Sequence, residues 1–166
     1  MARLVLVGLP GAGKSTLARA LADVWGCAAI DTDDVVALKV GTPVAQYLRV
    51  HGEAAFREKE FDALRDALSS DGVVATGAGV VTTSAARGLL KKVPTLWIDS
   101  DDETLLERVS DGERPLLGED HRQGLVDLRV QRETWYRSSA RARVDSSGPL
   151  DEVVRRILIE VDSVTS

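Results

Sequence analysis

With 166 residues, 44% of them apolar and 28% charged, the chain has the size and balance of one globular domain. Such a chain buries roughly 70% of its unfolded surface without cross-links. A formal charge of −5 excludes a broad nucleic-acid or acidic-membrane surface, so any anion site has to be made locally by a few converging positive groups. Cys27 is the only cysteine, which excludes an intrachain disulfide and fits a reducing compartment.

The first apolar run, Leu4–Val7, is too short for a signal-peptide core or a membrane span, and no later segment is long enough, so a cytoplasmic protein is expected. It reads instead as a strand buried on both faces and ending at Gly8. A helix is expected from about Lys14, with Leu17, Leu21 and Val24 at helical spacing and Gly26 as its stop. Residues 28–30 form a second short strand. Thr42 and Pro43 look like a helix start, a capping hydroxyl followed by proline at the first helical position. Residues 53–68 are helical, with Phe61, Leu64 and Leu68 on one stripe.

A third strand at 73–75 runs into Thr76-Gly77-Ala78-Gly79, and a fourth covers 95–98. Ser100-Asp101-Asp102-Glu103 is a capping box that opens the next helix. Gly112, Pro115 and Gly118 among charges make 111–120 a loop. A helix at 121–136, a strand at 142–144 and a final amphipathic helix follow, the last with Leu150, Val153, Val154, Ile157, Leu158 and Val161 on one face. Strands alternating with helices imply an α/β fold, a mostly parallel sheet covered on both sides, with ligands at the carboxyl ends of the strands.

The motifs fall at those ends. Gly8-Leu9-Pro10-Gly11-Ala12-Gly13-Lys14-Ser15-Thr16 satisfies G-x-x-x-x-G-K-[ST] between a buried strand and an amphipathic helix. Glycines let successive N–H groups converge on phosphate oxygens, and the helix N-terminus adds a favourable dipole. Lys14 would reach the β- and γ-phosphates of ATP, and the Ser15 hydroxyl would ligate magnesium. Asp31-Thr32-Asp33-Asp34 follows the second strand. Carboxylates there either hold magnesium or take a proton from an acceptor hydroxyl, or they simply favour a helix N-terminus.

Arg57 and Arg132 both lie on apolar stripes, Arg57 four residues before Phe61 and Arg132 four after Leu128. A guanidinium facing a core needs an anion, because an unpaired buried charge is costly. For Arg57 that anion is Glu53 or Glu60 within helical reach, or it is an anionic acceptor; two such arginines beside a kinase cradle favour the acceptor. Arg114 stands in the 111–120 loop, either as a solvated surface charge or as an arginine brought in by loop closure.

In this order and spacing, GLPGAGKST at 8–16, DTD at 31–33, FRE at 56–58, the glycine turn at 77–79, RPLL at 114–117 and the pair Arg132 and Tyr136 resemble the shikimate kinase family along nearly the whole chain. The resemblance implies a P-loop three-layer α/β/α fold with a five-stranded parallel sheet. It implies one kinase domain over 1–166, with a substrate-binding segment at about 31–61 and a lid at about 111–124. It also implies phosphorylation of the shikimate 3-hydroxyl by ATP with Mg2+, on the route to aromatic amino acids, by a monomer. ATP would meet Gly11, Ala12, Gly13, Lys14, Ser15 and Thr16, together with Arg108, Arg114 and Pro149. Mg2+ would be held by Ser15 and Asp31. The acceptor would meet Asp33, Arg57, Gly77, Ala78, Gly79 and Arg132, with Lys14, Asp33 and Arg114 as the catalytic groups. One departure stands out: the family shows three glycines where this chain has Gly77-Ala78-Gly79. Rival readings are another small-molecule P-loop kinase, for gluconate or a nucleoside monophosphate, and a nucleotide-binding regulator without catalysis.

Overall fold

The short apolar runs become the strands β1 (Leu4–Val7), β2 (Ala28–Asp31), β3 (Gly72–Ala75), β4 (Thr95–Asp99) and β5 (Ala142–Asp145) of a computed structural model that describes residues 1–109 and 117–165. They form one five-stranded sheet in the order β2-β3-β1-β4-β5, and every pairing is parallel. The pattern of side chains follows from that order. The central strands β1, β3 and β4 are buried at every residue and mostly apolar, β4 beginning at buried Thr95 and ending at buried Asp99, whereas edge strands β2 and β5 keep exposed positions.

The helices are α1 (Lys14–Trp25), α2 (Thr32–Val40), α3 (Val44–Leu68), α4 (Ser84–Leu90), α5 (Asp102–Val109), α6 (His121–Ser139) and α7 (Leu150–Thr165). Leu17 and Leu21 of α1, Leu125 and Tyr136 of α6, and Val153 and Ile157 of α7 close over the sheet in one large core. Each fully buried aliphatic side chain there contributes roughly 1.5–3 kcal/mol. A second, small core of Val36, Phe56 and Ala63 lies between α2 and α3, with Val35, Val40, Val44, Tyr47 and Leu48 packed on it. Among the described residues no helix is long and apolar enough to cross a membrane.

Several expectations are corrected. Val24 is 58% exposed, since the apolar face of α1 is already complete with Leu17, Ala18, Leu21 and Ala22. Thr42 caps nothing: Pro43 is itself the N-cap residue and helix begins at Val44. The helix expected from residue 53 belongs to a longer element that starts at Val44 and is broken at Gly52, where φ is 85° and ψ is 171°. Helix α5 is capped by Asp101, not Ser100, since the Thr104 N–H donates to Asp101 Oδ1 at 2.8 Å. Leu150, expected on the buried face of α7, is 46% exposed. Helices α2 and α4 and the 3-10 turn Val80–Thr82 carry no period that the sequence reading picked up.

Candidate active site

Parallel strands bring all their carboxyl ends to one edge, and a cavity of about 630 Å³ opens there. Its lining runs from the P-loop, through Asp31 and Asp33, to Arg57, Glu60, the turn 76–79 and Arg132. The sequence motifs therefore meet in a single space.

The phosphate end is made mostly of backbone. Gly13 enters α1 with φ 91° and ψ 16°, and no side chain caps the helix. The first N–H groups of α1 consequently have no intrahelical acceptor and face the cavity mouth as an anion site. Lys14 is buried, with Nζ donating to the carbonyls of Gly8 at 2.7 Å and Leu9 at 2.9 Å. Its ammonium is thus held directly over the loop. Arg108 clamps the other side of the loop: Nη1 donates to the Gly11 carbonyl at 3.1 Å, and Nη2 to the Ser146 carbonyl at 2.8 Å. Ala12, Gly13, Ser15 and Thr16 line the same wall. Pro149 is exposed, while its neighbours Gly148 and Leu150 line the cavity. Arg114 lies outside the described residues.

The aspartates after β2 divide into two roles. Asp31 is the N-cap of α2, its Oδ1 accepting from the Asp33 N–H at 2.9 Å, and its Oδ2 accepts from the Ser15 hydroxyl. The helix-start reading thus applies to Asp31, which at the same time joins Ser15 in a corner of oxygen donors. Asp33 caps nothing. Its Oδ1 is buried without a partner among the described residues. Burial first, and then the negative charges of Asp31 and Glu60, push its carboxyl up to about 6, against the opposing pull of Lys14.

The acceptor end is made of side chains. Arg57, 8% exposed, donates from Nη1 to Glu60 at 2.8 Å and from Nη2 to Glu53 at 3.2 Å. The internal carboxylates expected as the alternative partners are therefore present, yet Arg57 also lines the cavity with its Nε unpartnered. Glu60 is itself buried, and desolvation raises its carboxyl although Arg57 draws it down. Arg132, 2% exposed, forms no ion pair among the described residues; Nε touches Gln131 at 3.3 Å and Nη1 is left without a partner. A buried guanidinium in that state is prepared for an anion from outside.

The glycines explain themselves by contact. A Cβ at Gly79 would run into the Arg57 guanidinium, and one at Gly77 would meet the carboxylates of Glu60 and Asp33. Ala78, between them, carries its side chain without backbone strain: it is not at positive φ, and its carbonyl accepts from the Tyr136 hydroxyl. The departure from three glycines thus leaves the turn unstrained. Sequence reasoning treated Glu60 only as a bland partner, and missed Thr32, whose hydroxyl accepts from the Gly77 N–H at 3.0 Å. The Glu60 signal was present as an acidic residue three positions beyond a stripe arginine; Thr32 carried none.

Comparison with known proteins identifies the family. The model of the family described as shikimate kinase matches residues 10–162. A shikimate kinase of Corynebacterium jeikeium is 36% identical over 166 residues, covering 98% of this chain and 89% of its own. That of Enterococcus faecalis is 31% identical, covering 95% and 97%. Among solved structures, the shikimate kinase of Acinetobacter baumannii in complex with shikimate superposes with a TM-score of 0.92 at 32% identity, covering 96% of this chain and 92% of its own. A gluconokinase of Sinorhizobium meliloti shares the fold at a TM-score of 0.64 and 18% identity. A family match across most of the chain and relatives alike over nearly their full length place this chain in the shikimate kinase family.

Proposed function

We propose that the chain transfers the γ-phosphoryl group of ATP to the 3-hydroxyl of shikimate. The observation that carries this is the unpartnered Asp33 carboxylate, lying in one cavity with Lys14 on one side and the Arg57 and Arg132 guanidiniums on the other. Arg132 and Arg57, with the Gly79 backbone, bind the acceptor carboxylate and so orient its hydroxyls toward Asp33. Asp33 accepts the proton as the hydroxyl oxygen attacks phosphorus; the bond from phosphorus to the bridging oxygen breaks, and ADP leaves with that electron pair. Lys14 and the α1 N-terminus meet the negative charge on the phosphate oxygens. Arg114, outside the described residues, is the lid arginine in this reading.

The donor set suits Mg2+: Ser15 and Asp31 offer a hydroxyl and a carboxylate, and this ion takes one or two protein oxygens and fills its octahedron with phosphate and water. Those two residues would hold it, and it would supply charge neutralisation for the phosphates. In this reading the reaction is cytoplasmic and the enzyme acts as a monomer.

The test is ADP release with ATP and each of shikimate, gluconate and nucleoside monophosphates. Release with shikimate alone is expected. Release with gluconate and not shikimate would establish the other kinase whose fold is shared, and no release with any acceptor would leave a nucleotide-binding protein.

A further inference from the structure

We infer that Tyr136 is a positioning residue, whose hydroxyl aims the Gly79 N–H at the acceptor anion; this rests on the reading of the cavity as a shikimate site. The turn 77–79 has an uneven distribution of hydrogen bonds. Its carbonyls are all engaged from within: Gly77 by the Val80 N–H at 3.2 Å, Ala78 by the Tyr136 hydroxyl, and Gly79 by the Thr82 N–H at 3.0 Å and hydroxyl at 2.7 Å. Of its N–H groups, that of Gly77 is held by Thr32, while those of Ala78 and Gly79 have no protein acceptor among the described residues. Both residues line the cavity.

A trans peptide points its C=O and the following N–H in opposite directions, and no peptide here is cis. Holding the Ala78 carbonyl therefore fixes where the Gly79 N–H points. Tyr136 is well placed to do this. It is fully buried, and its ring stacks on Trp97 with centroids 6.1 Å apart and planes 21° apart. It follows Arg132 by one turn of α6, and the Arg132 guanidinium lies beside its phenol oxygen. One hydroxyl thus ties the backbone donor and a guanidinium donor of the anion grip to the same rigid point. Releasing it lets the peptide rotate and leaves a carbonyl without a partner.

Tyr136→Phe keeps the ring and its packing and deletes only the hydroxyl. The expected result is a rise of about tenfold in the KM for shikimate, the scale of one buried hydrogen bond. The KM for ATP and kcat should stay within about twofold. Substituting 4-aminophenylalanine for Tyr136, which restores a donor at the same ring position, should bring the KM back. On the parent protein, the Gly79 amide proton should move downfield when shikimate is added, a measurement that needs no variant to fold. A shikimate KM within about twofold of the parent, or equal losses in kcat and both KM values together with a lowered unfolding temperature, overturns the positioning role. So does a Gly79 amide unmoved by saturating shikimate. A parent protein with no shikimate-dependent ADP release overturns instead the proposed function on which this inference stands.

Discussion

At the phosphate end of the cavity the ligand-facing groups are main-chain N–H donors on a strand-to-helix turn, steadied by Lys14 and by Arg108 bonding to loop carbonyls. At the other end they are side chains: Arg57 and Glu60 bound to each other, and Arg132 and Asp33 each with a buried polar atom left without a partner among the described residues. The first arrangement depends on local chain geometry and serves any nucleotide enzyme. The second depends on long-range packing, and on the proposed function it is where the acceptor is chosen.

The largest effect expected concerns the phosphate end. Lys14→Ala should lower kcat by about 1,000-fold or more, as removal of a charge meeting the transferring phosphoryl group does, while the protein still unfolds cooperatively at a somewhat lower temperature. Turnover and thermal unfolding on one sample check this, and near-normal turnover would break the account of the cradle.

Asp33→Asn should lower kcat by about 100-fold or more while ATP binding holds. The same change should stabilise the folded protein. The Asp33 carboxyl titrates at about 6 in the folded state, above its ordinary 3.8. The folded state therefore holds this proton more tightly than the unfolded one. The resulting stabilisation is fully present below about pH 4 and is lost as pH rises through about 6. At pH 7 asparagine should thus be more stable than aspartate by on the order of 1–3 kcal/mol. Equal or lower stability of the variant would show that Asp33 is not strained at neutral pH. For the parent, kcat/KM should fall off on the acid side with an apparent pKa near 6, as the base protonates.

The two arginines divide the acceptor end further. Both Arg57→Ala and Arg132→Ala should weaken acceptor binding by about 2–3 kcal/mol with little change in the KM for ATP. Stability should separate them. Arg57→Ala abandons Glu60 as a buried charge and should cost about 3–5 kcal/mol near neutral pH. Arg132→Ala removes a guanidinium that has no carboxylate partner among the described residues, so its unfolding midpoint should shift by only a few degrees, about 3 °C. Equal loss of stability in both would erase the distinction. The smallest effect is expected of Ala78→Gly: acceptor KM within about threefold, and stability lower by about 0.4–1 kcal/mol from the freer unfolded chain.

The contrast between the two ends also marks what the sequence made legible. The P-loop, the five strands and the amphipathic α7 were readable because their signals are local, a contiguous motif or a single period. Arg57 and Arg132 were readable as charges on apolar stripes, but their different partners were not. Whether a guanidinium meets Glu60 or stays open depends on how α3 and α6 approach the turn after β3. Helix α2 was hidden because Thr32 and Val36 are buried while Leu38 is 86% exposed, so its stripe is too short to show a period. The tie between Tyr136 and Ala78 joins residues 58 positions apart, and nothing in either neighbourhood announces it.

The break at Gly52 and the separate small core of Val36, Phe56 and Ala63 set the α2–α3 segment partly apart from the sheet. The buried residues of that small core share no cluster with those that hold the sheet. Val36, Phe56 and Ala63 can therefore change without disturbing the sheet's core directly, whereas Arg57 and Glu60 carry stability of their own and Phe61 packs on that core. On the proposed function, residues 32–63 are then the stretch to exchange, together with the turn 77–79 and Arg132, when seeking transfer to a different alcohol.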